Sequence, residues 1–277
     1  MSDSNHRMVY LLPNLMTAGN LFCGFMAILQ ILEGTILRRA AAEGWWEHYQ
    51  LSLYFIIGAF IFDILDGRVA RLGGQESPFG REFDSLADVV SFGVAPALLL
   101  FKIVLYELPN RVGWIIAFCY LACGALRLAR FSALASEGGS KAVKDFTGFP
   151  IPAAAGLIAS ITLMLLHVYE GDRSIGAWKY GLAGLMLFLS FMMFSQVRYP
   201  SFKALDWRTR MTIPNLLITV VLLGLILLNW RYSLAACFTL YLIYGFVRPR
   251  ISRKWRPSIE EDDPEDEEGE ENQIKAD

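Results

Sequence analysis

Histidine and cysteine are scarce in this chain: three and four among 277 residues. His6, His48 and His167 fall near the N-terminus, in the first loop between apolar spans and at a span end. None is paired with a suitable nucleophile, so histidine-assisted covalent catalysis lacks its parts. Cys23, Cys119, Cys123 and Cys237 sit in apolar runs without metal-ligand neighbours. They read as small buried hydrophobes, and a disulfide-stapled secreted scaffold is excluded. Charge is thin as well, at 19% against 55% hydrophobic residues, with mean hydropathy +0.39. That balance excludes a disordered chain or a collagen-like repeat and is too apolar for an ordinary soluble domain. Met1 to Val9 lacks the basic region, short apolar run and cleavage site of a signal peptide, so the first apolar span is expected to be retained.

What the chain has in plenty is long apolar runs. A bilayer core needs about 20 apolar residues per helix. Eight runs approach that length, at approximately 11–33, 49–66, 89–108, 112–134, 149–169, 176–196, 213–229 and 232–247. The expected fold is an all-α, polytopic membrane helix bundle. An even number of spans puts both termini on one side. Counted from the N-terminus, that side collects 17 cations, including Arg68, Arg71, Arg81, Arg127, Arg130 and the run Arg248 to Arg256. The other side holds Arg38, Arg39, Arg111, Arg173, Lys179 and Arg231, with Lys102 left inside the third span. The positive-inside rule then makes both termini cytoplasmic.

The net charge of -2 conceals a division. Ser258 to Asp277 holds 11 acids and one lysine, and the rest of the chain carries 24 Lys+Arg against 16 Asp+Glu. The tail repels itself and cannot bury apolar surface, so it is expected to be disordered, either as a solvated tail or as an electrostatic or autoinhibitory contact. Arg248 to Arg256 just before it is a basic cluster of the kind attracted to anionic headgroups.

The segment Asp63 to Asp88, DILDGRVARLGGQESPFGREFDSLAD, carries the chemistry. Asp63 and Asp66 lie three apart at the end of the second span, and Asp84 and Asp88 lie four apart at the start of the next, so each pair shares a helix face. Gly73, Gly74, Ser77, Pro78 and Gly80 between them can fold one helix back on the other. Four converging carboxylates at a membrane edge repel each other and must bind cations, bind protons or open into water. Oxygen-only ligands favour Mg²⁺, Mn²⁺ or Ca²⁺ over zinc, and four acids suit a two-metal site that clamps phosphate oxygens. Gly67 removes a side chain where a ligand could approach, and Arg71 stands one turn on, placed to meet a phosphate. Surface acids that cap helix ends and pair with Arg68, Arg71 and Arg81 are the plainer reading.

The pattern Asp63-x2-Asp66-Gly67-x2-Ala70-Arg71-x8-Gly80-x3-Asp84-x3-Asp88 resembles, without a departure, the signature of the CDP-alcohol phosphatidyltransferases. The resemblance implies a membrane enzyme with a six-helix core, in which an alcohol hydroxyl displaces CMP from a CDP-linked lipid. It makes Asp63, Asp66 and Asp84 metal ligands, with Asp88 both near the metals, two Mg²⁺ or Mn²⁺ ions, and the general base. Gly67, Arg71 and Ser77 would contact the nucleotide and its diphosphate. A hydroxyl is a poor nucleophile until a base takes its proton, which fits the role given to Asp88. On this reading residues 1–200 form the family core, 201–257 an additional transmembrane hairpin with a basic juxtamembrane segment, and 258–277 the acidic tail.

Looser patterns bear on the acceptor. LLPNLMTAGNLFCGF, SFGVAPA, ALRLARF and FTGFPIPAAAG together look like the phosphatidylserine synthase branch of that family. The resemblance implies CDP-diacylglycerol and L-serine as substrates, a homodimer among membrane lipids, and no nucleic acid. Asn14, Thr17 and Asn20 put a polar stripe on the first span. The stripe serves either capping and interhelical hydrogen bonds or, as the family's first helix suggests, the cytidine end of the lipid. Arg127 and Arg130 are either snorkelling anchors or ligands for an acceptor carboxylate or a lipid phosphate. Two rivals stay open: the same chemistry on glycerol phosphate, inositol phosphate or choline, and a cation or proton transporter. Against transport, no acid continues the path through the apolar spans.

Overall fold

The computed structural model describes residues 3–72, 77–109, 112–136, 148–170, 175–195 and 229–247, and among them there are helices and no strand. The helices are α1 (Asp3–Arg39), α2 (Trp45–Leu72), α3 (Pro78–Asp88), α4 (Ala95–Ile103), α5 (Val112–Ser136), α6 (Ile151–Val168), α7 (Trp178–Phe194) and α8 (Trp230–Val247). A π-helical turn, Val89–Val94, joins α3 to α4, and a 3₁₀ turn, Leu105–Glu107, follows α4. Among the described residues, five segments are long and apolar enough to cross a bilayer: Leu12–Arg39, Trp45–Val69, Pro78–Ile103, Val112–Ala133 and Ile151–Val168. α7 is a shorter apolar helix. The protein is a helical integral membrane protein. The expected seventh span at 213–229, the basic run 248–256 and the acidic tail lie outside the described residues.

The third span differs from its expected bounds of 89–108. The helix begins at Pro78 and runs through the π turn to Ile103 as one rod of 26 residues. Ser77 starts it: its Oγ accepts the Gly80 amide at 2.9 Å, and Pro78 occupies the first helical position, where a missing N–H costs nothing. A hydropathy scan misses this start because Arg81, Glu82, Asp84 and Asp88 dilute the apolar signal. Lys102, expected inside the span, stands in the last turn of α4.

The bundle is assembled on α6 and on the pairing of α1 with α2. α6 is a run of small and branched residues without charge, and Ile151, Ala154, Ala155, Ile158 and Ala159 are fully buried. Its Gly156 admits α8: a Cβ there would stand 2.3 Å from Phe238 Cζ. Phe238 in turn packs edge-on against Phe60 of α2, with ring centroids 5.2 Å apart. α8 is thus built into the bundle through α6 and α2. On the other side α1 approaches the π turn closely, since a Cβ on Gly24 would stand 2.8 Å from Ser91 Cα. That approach sets the height at which α1 meets the acidic residues of α3.

Candidate active site

The carboxylates converge because α2 ends and α3 begins at the same end of the bundle, both against α1. Asp63, Asp66 and Asp84 each offer a carboxylate oxygen, and these atoms lie within 4.8 Å of one another. Asp66 is 6% exposed and Asp88 5%. Asp88 stands ten residues, about 15 Å, into the Pro78–Ile103 rod, so the acids are recessed into the helices and do not fringe them. Like charges gathered this closely repel unless a cation or a proton joins them. The donor set is all oxygen and the spacing suits a divalent ion, so the residues fit the metal that their sequence pattern implies.

The polar stripe of α1 faces this cluster. The Thr17 hydroxyl lies 3.1 Å from Asp66 Oδ2 and 3.1 Å from the Pro13 carbonyl, and its single proton can go to only one of them. Asn20 Nδ2 donates to Asp88 Oδ1 at 3.0 Å. Asn20 is fully buried, and its Oδ1 has no hydrogen-bond partner among the described residues, which leaves a carbonyl oxygen beside the carboxylates. Asn14 sits higher, against the first turn of α3, where its Oδ1 would lie 3.0 Å from a Cβ on Gly80. Interhelical hydrogen bonding, one of the two readings of the stripe, is therefore what Thr17 and Asn20 do, and the partners are the acids themselves.

The π turn follows Asp88 directly, and the sequence around it explains how it is held. Pro96 cannot donate the amide that would normally close onto the Phe92 carbonyl four residues back. The buried Tyr120 of α5 supplies the donor, its hydroxyl 3.0 Å from Phe92 O. Ala95 N reaches back five residues to Val90 O, the bond that defines the turn. Ser91 donates to the Asn20 carbonyl at 3.0 Å, so the residue that orients Asp88 is tied at its backbone too. Neither Ser91 nor Tyr120 was singled out as a site residue from sequence, although a proline four residues after a buried carbonyl is a legible signal for a missing donor.

The other expected site residues separate. Gly67 faces open space, since a Cβ there would meet nothing within 4 Å. Ser77 is engaged as the cap of α3. The Arg71 side chain lies outside the described residues. The two arginines of α5 are not equivalent: Arg127 is 7% exposed, whereas Arg130 is on the exposed surface. Arg127 stacks over Phe131 one turn on, 4.7 Å from the ring centroid.

Residues 10–194 match the model of the CDP-alcohol phosphatidyltransferases, a stretch that reaches from α1 to the end of α7. The chain belongs to the CDP-alcohol phosphatidyltransferase family. Membership in this family of transferases sets aside the transporter reading. A CDP-diacylglycerol–serine O-phosphatidyltransferase of Helicobacter pylori strain J99 is 36% identical over 242 residues, 87% of this chain and 91% of the relative. Proteins of the same name from Methanocaldococcus jannaschii and Bacillus subtilis strain 168 are 36% and 32% identical, over 71% and 69% of this chain and 83% and 91% of theirs. α8 lies beyond the segment that matches the phosphatidyltransferase family model.

Proposed function

We propose that this phosphatidyltransferase moves the phosphatidyl group of CDP-diacylglycerol to the hydroxyl of L-serine, releasing CMP at the cytoplasmic face. The observation that carries the reading is the gathering of Asp63, Asp66 and Asp84 within 4.8 Å, with Asp88 buried beside them, in a chain whose relatives bear the name of that activity. Asp63, Asp66, Asp84 and Asp88 hold divalent metal, two Mg²⁺ or Mn²⁺ ions, which when bound neutralises the diphosphate and stabilises departing CMP. Asp88 accepts the proton of the serine hydroxyl, and Asn20 keeps its carboxylate oriented through the bond to Oδ1. Gly67 leaves room for the nucleotide, whose approach is assigned to Ser77, Asn14 and the Thr17–Asn20 face of α1, and Arg71 takes its diphosphate by its place in the motif. Arg127 pairs with the serine carboxylate, for which a planar guanidinium is suited, and Arg130 meets lipid phosphate at the surface.

The reading extends to architecture. Residues 1–200 form a six-helix catalytic core, 201–257 add a transmembrane hairpin and a basic juxtamembrane segment, and 258–277 carry the acidic tail. Eight spans place both termini in the cytoplasm, supported by 17 cations on one face of the charge distribution. The protein works as a homodimer in the membrane.

Release of CMP from CDP-diacylglycerol by the purified protein, measured against L-serine, glycerol phosphate, inositol phosphate and choline, tests the assignment. Serine-dependent release well above that with water is expected. Release with another alcohol but not with serine would move the protein to a different acceptor, and release with none would remove the transferase reading.

A further inference from the structure

The rod that carries Asp84 and Asp88 changes its winding part-way along. Its α-helical stretches before Val89 and after Val94 are separated by the π turn, which lengthens the hydrogen-bonded step by one residue. One residue is worth about 100° of rotation, so the face that holds the acids is turned by that amount against the face that α4 buries. α4 is not free to follow a change of winding. Ala95, Leu99, Leu100 and Ile103 are buried, and α5 lies so close to the end of the rod that a Cβ on Gly113 would stand 2.1 Å from Leu105 O. α3 is the freer part, with Phe79 and Leu86 exposed. Relaxation of the turn to ordinary α winding therefore falls on α3 and swings Asp88 away from α1.

The existing winding lets Asn20 meet the rod twice: its Nδ2 donates to Asp88 Oδ1 and its carbonyl accepts from Ser91 Oγ, both at 3.0 Å. These two partners lie three residues apart across the start of the turn. The weak point is Phe92 O, fully buried and denied the amide of residue 96 because that residue is proline. α5 closes on the turn there, a Cβ on Gly93 standing 2.9 Å from Leu121 Cδ1, and the neighbouring Tyr120 hydroxyl donates to Phe92 O at 3.0 Å. We propose that Tyr120 is a positioning residue for the transfer step: by holding the Phe92 carbonyl it keeps the π turn wound, and the wound turn keeps the Asp88 carboxylate on Asn20 and aimed at the acceptor hydroxyl. The phenol acts through the backbone of the rod and touches no substrate. The inference rests on Asp88 as the base of the proposed reaction.

Tyr120→Phe, Pro96→Ala and their combination, made in the full-length chain, test it by two measurements. One is CMP release from CDP-diacylglycerol with L-serine; the other is amide hydrogen exchange of residues 89–95 without substrate, read by mass spectrometry. Tyr120→Phe should lower the saturating rate about tenfold, leave both KM values within about twofold, and speed exchange across the turn about tenfold, the worth of one buried hydrogen bond. Pro96→Ala supplies the amide that Phe92 O lacks. Alone it should match the parent within about twofold, and added to Tyr120→Phe it should bring rate and exchange most of the way back. Combined with Asn20→Ala, Tyr120→Phe should cost little further rate, because both changes release the same carboxylate. The inference is overturned if Tyr120→Phe keeps the parental rate or exchange, if it acts on the KM values instead, if Pro96→Ala restores nothing, or if the losses with Asn20→Ala multiply. Should Tyr120→Phe fail to fold, the combined variant decides by the same rate: an active protein supports the role of the hydroxyl, and an inactive one ends it. A parent that transfers nothing to serine is the failure of the proposed function, whereas exchange left unchanged by Tyr120→Phe is the failure of this inference alone.

Discussion

At one end of the bundle Arg38 Nη2 and Lys179 Nζ both reach Glu107, at 3.2 and 3.5 Å, whereas at the other Asp63, Asp66 and Asp84 crowd carboxylate oxygens within 4.8 Å. About 27 Å of α1 separates Asn20 at the acidic end from Arg38 at the mixed one, close to the depth of a bilayer core. At the mixed end, charges of opposite sign meet at half-exposed positions. The Arg38 guanidinium also lies over Trp45, 5.2 Å from the ring, and donates to the Lys102 carbonyl that closes α4. Such a group is complete in itself and ties α1, α4 and α7 together. At the acidic end, charges of one sign are buried together and supported by neutral donors from α1. A cluster of that kind is complete only when a cation or a proton joins it, and the difference separates a polar group that holds the fold from one suited to act on a ligand.

Four variants press on this contrast. The largest effect should come from the acids: Asp88→Asn is expected to lower the rate of transfer by about 10² to 10⁴, the usual worth of a positioned base. Asp63→Asn should first raise the Mg²⁺ or Mn²⁺ concentration needed for half activity. Near-normal turnover of Asp88→Asn at saturating metal would withdraw the base assignment. An intermediate effect is expected at Asn20→Ala, which deletes the donor to Asp88 Oδ1: turnover should drop about tenfold with the fold retained. If the variant turned over normally, the bond would be packing and nothing more. The smallest effect is expected at the opposite end, where Glu107→Gln should cost no more than about 1 kcal/mol of stability and leave CMP release unchanged. A Glu107→Gln protein that folded but lost activity would erase the distinction between the two ends.

Much of the acidic site could be read in advance, because it is local. Two pairs of aspartates at helical spacing, flanked by glycines, specify a shared face whatever the rest of the chain does. The polar stripe on α1 was legible for the same reason, but its target was not. That Thr17 meets Asp66 and Asn20 meets Asp88 depends on the height of α1, and a glycine at 24 packed on Ser91 sets that height. The arginines show the limit more sharply. Arg127 and Arg130 look alike in sequence, both in an apolar helix and three residues apart, yet the first is 7% exposed and the second faces outward. Three residues are about 300° on a helix, and the boundary between buried and exposed runs through the gap.

Length, apolar runs and charge sign were enough to make this chain a membrane helix bundle, and fixed spacing among eight motif positions was enough to identify its acids, since both depend on short-range periodicity and transfer free energy. Depth and partnership were decided elsewhere. The Thr17 hydroxyl beside Asp66, the Tyr120 hydroxyl on the Phe92 carbonyl and the place of Tyr241 beside Phe149 all join residues distant in the chain. Such contacts follow from how α1, α5, α6 and α8 pack, and packing is settled by the shapes of facing side chains that no single segment contains.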